Sequence, residues 1–332
     1  MLAVSSLRRL IFSSVRLFSR RRFHADFFGS GESSLIHPTS IIHPDAVLGQ
    51  GVSIGPFCTV GSAVKIGNAC QLHASSHIVG ETEIGDHCII QTGAVVGADL
   101  PGLTVLGHHN VVGHYAVVGV KCQDLKYKPG DECFLYIGDH NDIREYSSIH
   151  RSSKSCDKTI IGDNNLIMGH SHIAHDCKIG NKNIFANNTL LAGHVVVEDY
   201  VHTSGAIAVH QFCHIGSHSF IGGGAMVTQD IPKFMMVSGG RAELRGLNLE
   251  GLRRHGFSEI EEEDVRGMRK AYQKIFMVNE ANSGGLDDRL SQVEHDEEVA
   301  CFSAVTHMVQ SIRESFRPNR RGICKFRNPS AS

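Results

Sequence analysis

The 332-residue chain has no tryptophan, no Cys-x-x-Cys pair, and no apolar run approaching the roughly 18 residues of a membrane-spanning helix. Its 32 basic and 34 acidic residues nearly cancel, so it lacks the strong positive field of a nucleic-acid-binding domain. Without paired spacings, the ten cysteines give no signature of a zinc site or a disulfide framework, and no metal is expected. Acids are missing from the beginning of the chain, where the first is Asp26. That segment instead holds six arginines and a set of serines, with Leu7, Leu10, Ile11, Val15 and Phe18 on one helical face and Arg9, Arg16 and Arg20 on another. An amphipathic, Arg-rich, Ser-rich and acid-poor composition is that of an organelle transit peptide, expected to be mitochondrial and to cover residues 1–28. Its removal would take Lys+Arg from 32 to 26 and Asp+Glu from 34 to 33, leaving a net charge of −7.

What the chain does have is a period. Every sixth residue from Ile36 to Val96 is aliphatic: Ile36, Ile42, Leu48, Ile54 and so on. The period returns at Leu106, Val112 and Val118, again at Ile137, Ile143 and Ile149, and then runs from Ile161 to Val227. Six fits neither the 3.6 of a helix nor the 2 of a flat strand, and marks a parallel β-helix. Two positions before each aliphatic residue stands a small one (Ala46, Val52, Cys58, Cys70, Cys88), placed on the same inward face by strand alternation. Cys177 and Cys213 occupy that position too, and all these cysteines are read as small core residues. Glycine recurs one position after the aliphatic residue, suiting either an unusual φ or close backbone approach. Three hexads make a coil of 18 residues, and the in-phase positions amount to roughly ten coils over 34–235. Tryptophan is no loss to such a solenoid. Handedness does not follow from the spacing.

Two excursions interrupt the period: Lys121–Cys133, with polar and Pro-Gly turn chemistry, and Arg151–Lys158, where the phase survives and Ser155 would point inward. Pro232 is expected to close the last coil. Residues 240–318 then read as a helical module, with a Ser258/Glu261 capping pattern, a glycine-rich loop near 283–285 and an amphipathic helix over 296–316. A disordered tail is expected over 319–332.

Most of the 22 histidines have the bland reading of solvated corner residues. His172, His175, His194 and His210 do not, because an 18-residue coil stacks His175, Gly193 and Gln211 in one column and Asp176, His194 and Phe212 in the next. An imidazole suits general-base work on a hydroxyl, and Gly193 can offer its backbone N–H to an oxyanion. With no serine or cysteine beside the base, the pattern favours direct acyl transfer. Asp176 could orient His175, although neighbours in a strand face opposite ways, which lowers its weight.

The strings QDLKY (123–127), IHR (149–151), HIAHD (172–176), LAGHV (191–195), AVHQF (208–212) and NLEGLRRHG (248–256) resemble the UDP-N-acetylglucosamine O-acyltransferases that begin lipid A synthesis. The resemblance runs in order over about 34–316 and implies a left-handed β-helix, a homotrimer with clefts between solenoids, and transfer of a 3-hydroxyacyl chain to the sugar 3-hydroxyl. The donor would be acyl carrier protein, whose phosphopantetheine carries the chain, so no separate cofactor is implied. Carried over by position, His175 is the base and Gly193 the oxyanion donor. His172, His194, His210, Gln211, Asp124 and Lys126 bind substrate, as do Asn248, Glu250 and Arg254 on the nucleotide side. His150 is a weaker carry-over. Gly223 is the acyl-chain ruler, and glycine there implies a long chain. His255 departs from the family, which commonly has a second arginine. Glu250 with Arg254 also has a plain reading as an i,i+4 helix pair. Carrier-protein docking is expected on Lys178, Lys182, Lys233, Arg241 and Arg245. The alternatives are a related solenoid sugar acyltransferase and a γ-type carbonic anhydrase, for which His170 and His175 would be zinc-ligand candidates.

Overall fold

The computed structural model describes residues 34–254, 262–277 and 284–326. The transit-peptide segment 1–28, the Ser258/Glu261 pattern, His255 and residues 327–332 lie outside the described residues. From 34 to 238 the chain winds a left-handed parallel β-helix whose short strands align into three sheets of eleven, ten and nine strands, the first extended by one antiparallel strand beyond the coil. The aliphatic hexad positions from Ile54 to Val227 form one continuous core, and Cys58, Cys70, Cys88, Cys177 and Cys213 are fully buried within it. Burial of each such branched side chain contributes about 1.5–3 kcal/mol.

The corners decide between the two glycine readings. Gly49, Gly67 and Gly85 are there for close approach: a Cβ on Gly49 would stand 2.6 Å from the Gly67 carbonyl carbon. Gly97 and Gly119 carry the unusual φ themselves, at 87° and 82°, whereas at most corners it falls two residues later on non-glycine residues such as His87, Tyr115, Asp176, His194 and Phe212, whose φ values lie between 55° and 64°. A left-handed conformation costs such residues on the order of 1–2 kcal/mol each. Stacking with the same position in the next coil offsets that cost, as in the His87–His109–His140 ladder, with ring centroids 4.9 and 4.7 Å apart. The histidine count is therefore partly a corner requirement.

Inward positions are not all apolar. Asn110, Asn141, Asn165 and Asn183 stack in a buried column. Asn165 Nδ2 donates to Asn141 Oδ1 (3.0 Å) and to the Gly180 carbonyl (3.0 Å), and its Oδ1 accepts from the Asn183 amide (2.9 Å).

Pairing normally steps by 18 residues, as from Leu35 to Ser53. The step widens to 22 from Ile89 to Val111, to 31 from Thr104 to Leu135, and to 24 from Ile143 to Ile167. The last insertion is one hexad long, which is why the phase survived across 151–158. Ser155 is nevertheless exposed in the loop rather than inward. The side chain that does go in is Arg151, fully buried, with Nε on Thr104 Oγ1 (2.8 Å) and Nη1 on the Leu100 carbonyl (3.2 Å).

The end of the solenoid differs from expectation in three ways. Strand Met235–Ser238 pairs in parallel with Phe220–Ile221, so Pro232 does not end the sheet; Glu243–Leu247 then folds back antiparallel. The helices follow: α1 (Leu249–Arg254), α2 (Glu262–Phe276), α3 (Leu286–Glu294), α4 (Glu297–Ala300) and α5 (Ser303–Glu314). The single helix expected over 296–316 is broken at Phe302, which turns extended and packs its ring against Gly267 of α2, where even a Cβ would be crowded. Finally, residues 319–326 are not a disordered tail: Ile323 and Cys324 are buried, and Arg320 bonds the buried Asp230 at 2.7 Å. A buried carboxylate needs a cation, and the tail supplies one. Among the described residues no helix is long and apolar enough to cross a membrane.

Asn165→Ala should strand buried amide partners above and below and destabilise the chain by about 2–3 kcal/mol. A denaturation midpoint unchanged from the parent would show that the asparagine column is not structural.

Candidate active site

Strand His172–Ile173 delivers the chain to a corner at which His175 and Asp176 follow one another. Asp176 has a φ of 60°, so it is a corner residue and not part of a strand, and strand alternation does not apply to it. Its carboxylate turns back to accept from His175 Nδ1 at 2.7 Å, correcting the low weight given to Asp176. The carboxylate also accepts from the Ser153 hydroxyl (2.6 Å) and amide (3.1 Å), and Thr159 Oγ1 accepts from the Asp176 amide (2.9 Å). Burial alone would raise the Asp176 carboxyl, but these hydrogen bonds hold it below the usual range. With Nδ1 engaged by a carboxylate, a neutral His175 presents Nε2 as an acceptor.

Nε2 faces a cleft of about 590 Å³ lined by His175, Gly193, His172, His150, Gln211 and the Asp124–Lys126 loop, with Leu190, Ala192 and Ala208 on its apolar side. Among the described residues no serine, threonine or cysteine lines it. Asp124 Oδ2 lies 3.8 Å from His175 Nε2, and Asp124 Oδ1 accepts from the Lys126 amide at 2.8 Å, fixing the loop tip. A Cβ built on Gly193 would fall 2.4–3.0 Å from atoms of the His175 ring, so the imidazole occupies the space a side chain would need. Among the described residues no group accepts from the Gly193 N–H.

His194 stands just outside the cleft, edge-on to His175 (5.2 Å) and stacked on Phe212 (4.7 Å), with Nε2 at 3.5 Å from Asp176 Oδ2. Those three side chains, His175, Asp176 and His194, bring their ligand atoms close enough to hold a metal ion, whereas His170 stacks on Tyr146 at a different corner. His172 Nδ1 is 2.7 Å from Ser148 Oγ and its ring meets His150 edge-on at 4.7 Å. Burial pushes both imidazoles down, His150 to about 4, with neighbouring histidines adding to the effect.

Other expected residues stand apart from this cleft. His210 is exposed, with its ring against the Gln211 carbonyl at 3.2 Å. Asn248 is buried and ties α1 to the solenoid, donating to the His218 carbonyl at 2.8 Å. Glu250 bonds both Arg253 and Arg254 at 2.8 Å on an exposed face, which is the helix-pair arrangement. Gly223 lies at another corner with room beside it, the nearest atom to an added Cβ being the Gly205 carbonyl oxygen at 3.4 Å. Of the docking lysines and arginines, Lys233 pairs with Glu198, Arg245 with Glu243, and Lys182 with Tyr200. Sequence reasoning missed Ser153, Ser148 and Thr159: Ser153 lies in a loop outside the period, Ser148 precedes the inward Ile149, and Thr159, two before Ile161, reads only as a small inward residue.

A hexapeptide solenoid with a His–Asp pair set against a bare glycine N–H defines a transferase of the hexapeptide class, and the bacterial transferase hexapeptide model matches residues 63–98 and 158–193. The model of UDP-N-acetylglucosamine O-acyltransferase domain 2 matches 230–324. A probable mitochondrial acyl-[acyl-carrier-protein]–UDP-N-acetylglucosamine O-acyltransferase of Arabidopsis thaliana is 66% identical over 256 residues, covering 77% of this chain and 75% of the relative. The Myxococcus xanthus acyl-[acyl-carrier-protein]–UDP-N-acetylglucosamine O-acyltransferase is 43% identical over 65% of this chain and 80% of its own length. Among solved structures, the Arabidopsis UDP-N-acetylglucosamine acyltransferase superimposes with a TM-score of 0.86 at 65% identity, covering 88% of this chain and all of that one (100%). LpxA from Acinetobacter baumannii gives 0.70 at 37% identity, with coverage of 88% and 100%. The chain belongs to the UDP-N-acetylglucosamine O-acyltransferase family.

Gly193→Ala should displace the His175 ring and lower turnover by about 100-fold while leaving the solenoid folded, read by steady-state kinetics alongside circular dichroism. The buried imidazoles give a second expectation. Between about pH 6.5 and about pH 4 the unfolded chain binds protons on His150 that the folded chain does not, so stability falls as pH drops through that window. His150→Gln should lose less stability than the parent between pH 7 and pH 5, measured as the shift in denaturation midpoint.

Proposed function

We propose that the chain transfers a 3-hydroxyacyl group from acyl carrier protein to the 3-hydroxyl of UDP-N-acetylglucosamine, the first step of lipid A synthesis. The observation that carries the mechanism is the His175–Asp176 pair facing the Gly193 N–H in a cleft that, among the described residues, holds no hydroxyl or thiol nucleophile and no acceptor for that N–H. In this reading His175 Nε2 takes the proton from the sugar hydroxyl as its oxygen attacks the thioester carbonyl. The oxyanion so formed accepts from Gly193 N–H, and collapse expels the pantetheine thiolate, which recovers the proton. Asp176 fixes the imidazole tautomer and stabilises the imidazolium.

Asp124, Lys126, His172, His194, His210 and Gln211 are assigned to substrate binding. Glu250 and Arg254 are assigned to the nucleotide, and Asn248 with them, through its hold on α1. The outward column Leu190, Ala208 and Met226 offers an apolar track for the acyl chain, with Gly223 as its ruler. Leu125, wholly exposed at the loop tip beside the cleft, supports a homotrimer in which a neighbouring copy covers this face. The mitochondrial assignment of the Arabidopsis relative, together with the composition of residues 1–28, supports the same location for this chain.

Mass spectrometry of reactions pairing UDP-N-acetylglucosamine with a series of 3-hydroxyacyl carrier-protein thioesters should find an ester on the 3-hydroxyl. His175→Ala should lower kcat by about 10²–10⁴ with the fold retained, whereas Lys126→Ala should raise KM at least as much as it lowers kcat. Near-parental turnover by folded His175→Ala would remove the base from this mechanism. Gly223→Met should shift preference to shorter chains, and an unchanged preference would place the ruler elsewhere.

A further inference from the structure

The corner that carries His175 continues beyond the cleft. The same pairing steps that place Gly193 and Gln211 after His175 bring Gln229 next in that column, and Asp230 follows Asp176, His194 and Phe212 in the other. At this end lies a second pocket of about 490 Å³, lined by Phe212, Thr228, Gln229, Arg241, Arg320 and Arg321 among others. Phe212 forms one wall, with its ring stacked on His194 at 4.7 Å.

The three arginines are not equivalent. Asp230 is buried and bonds Arg320 through Nη2 (2.7 Å) and Nε (3.1 Å), while its other oxygen accepts from the His214 amide at 2.8 Å. Arg320 is thereby neutralised. Arg321 donates from Nε to the Thr228 carbonyl at 2.7 Å, which fixes its guanidinium plane, and among the described residues its terminal nitrogens have no partner. Arg241, which also lines the pocket, makes no side-chain hydrogen bond or ion pair among the described residues. Two uncompensated guanidinium groups beside Thr228 and Gln229 make a fork suited to the oxygens of a phosphate ester.

We propose that this pocket binds a phosphate group of one of the reaction's own substrates. The proposal rests on the acyltransferase reading, which supplies two such groups: the diphosphate of the nucleotide sugar and the phosphodiester of the carrier's pantetheine arm. Both are within reach along the corner. Phe212 and Gln229 lie two and three coils from the His175 level, on the order of 10 and 14 Å.

The test uses the full chain in parental, Arg241→Gln and Arg321→Gln forms. Calorimetry measures UDP, uridine and inorganic pyrophosphate. Steady-state kinetics measures KM for a 3-hydroxyacyl-4′-phosphopantetheine thioester and for the matching acyl-pantetheine, which lacks only the phosphate. Each variant should weaken one phosphate-bearing ligand by about tenfold and spare its phosphate-free counterpart. Weakening of UDP and pyrophosphate but not uridine assigns the site to the nucleotide. A rise in KM for the acyl-phosphopantetheine alone assigns it to the donor arm. Both variants holding all phosphate-bearing ligands within about twofold of the parent would overturn the proposal, as would equal loss for the phosphate-free compounds. Arg241 is exposed, so its replacement does not threaten the fold. Parental protein that makes no acylated sugar would sink the acyltransferase reading, while the pyrophosphate arm would still report on the pocket.

Discussion

Everything in this molecule depends on the register that sets residue i of one coil beside residue i+18 of the next, as His172 is set beside Leu190 and Leu190 beside Ala208. Backbone amides of each coil donate to carbonyls of the following one, so a residue's surroundings are fixed by its column as much as by its sequence neighbours. The core, the corner ladders and the buried asparagines are three results of that rule. So is the functional edge, since a base, a glycine and an amide at equal spacing along the chain become a column in space.

The corners add what strands cannot. In a flat strand His175 and Asp176 would face opposite ways, yet the left-handed φ of Asp176 turns its carboxylate onto the neighbouring imidazole. Gly193 completes the arrangement by absence, because the ring of His175 fills the space of its missing Cβ. Catalytic geometry and coil geometry are therefore the same geometry, and the strain at the corner is held in place by well-paired coils above and below.

The solenoid was legible in the sequence because a six-residue period is a direct imprint of coil packing, and the columns followed by counting. What resisted reading lay where the period is silent. Ser153 caps Asp176 from a loop whose path is set by where the chain leaves and rejoins the sheets, and the inward arginine in that loop is Arg151, where periodicity pointed to Ser155. The strand pair at 235–247 and the break at Phe302 depend on contacts with elements distant in sequence. The docked end of the chain was invisible for a related reason: the need for Arg320 arises only once Asp230 is known to be buried.

All the irregular segments of the solenoid emerge at one edge. The chain departs from its period after the strands Val95–Gly97, Val117–Val120 and Ser148–His150, successive neighbours in the ten-stranded sheet, and each time it rejoins at the nine-stranded sheet. His175 stands at the same edge one coil further on. Loops here can lengthen or change composition without disturbing the pairing of the other two corners, because each coil re-enters in register. The fold thus separates a conservative scaffold from a single variable rim, and new substrate preferences in such a protein can arise by rewriting loop segments on that rim while the stacked interior stays as it is.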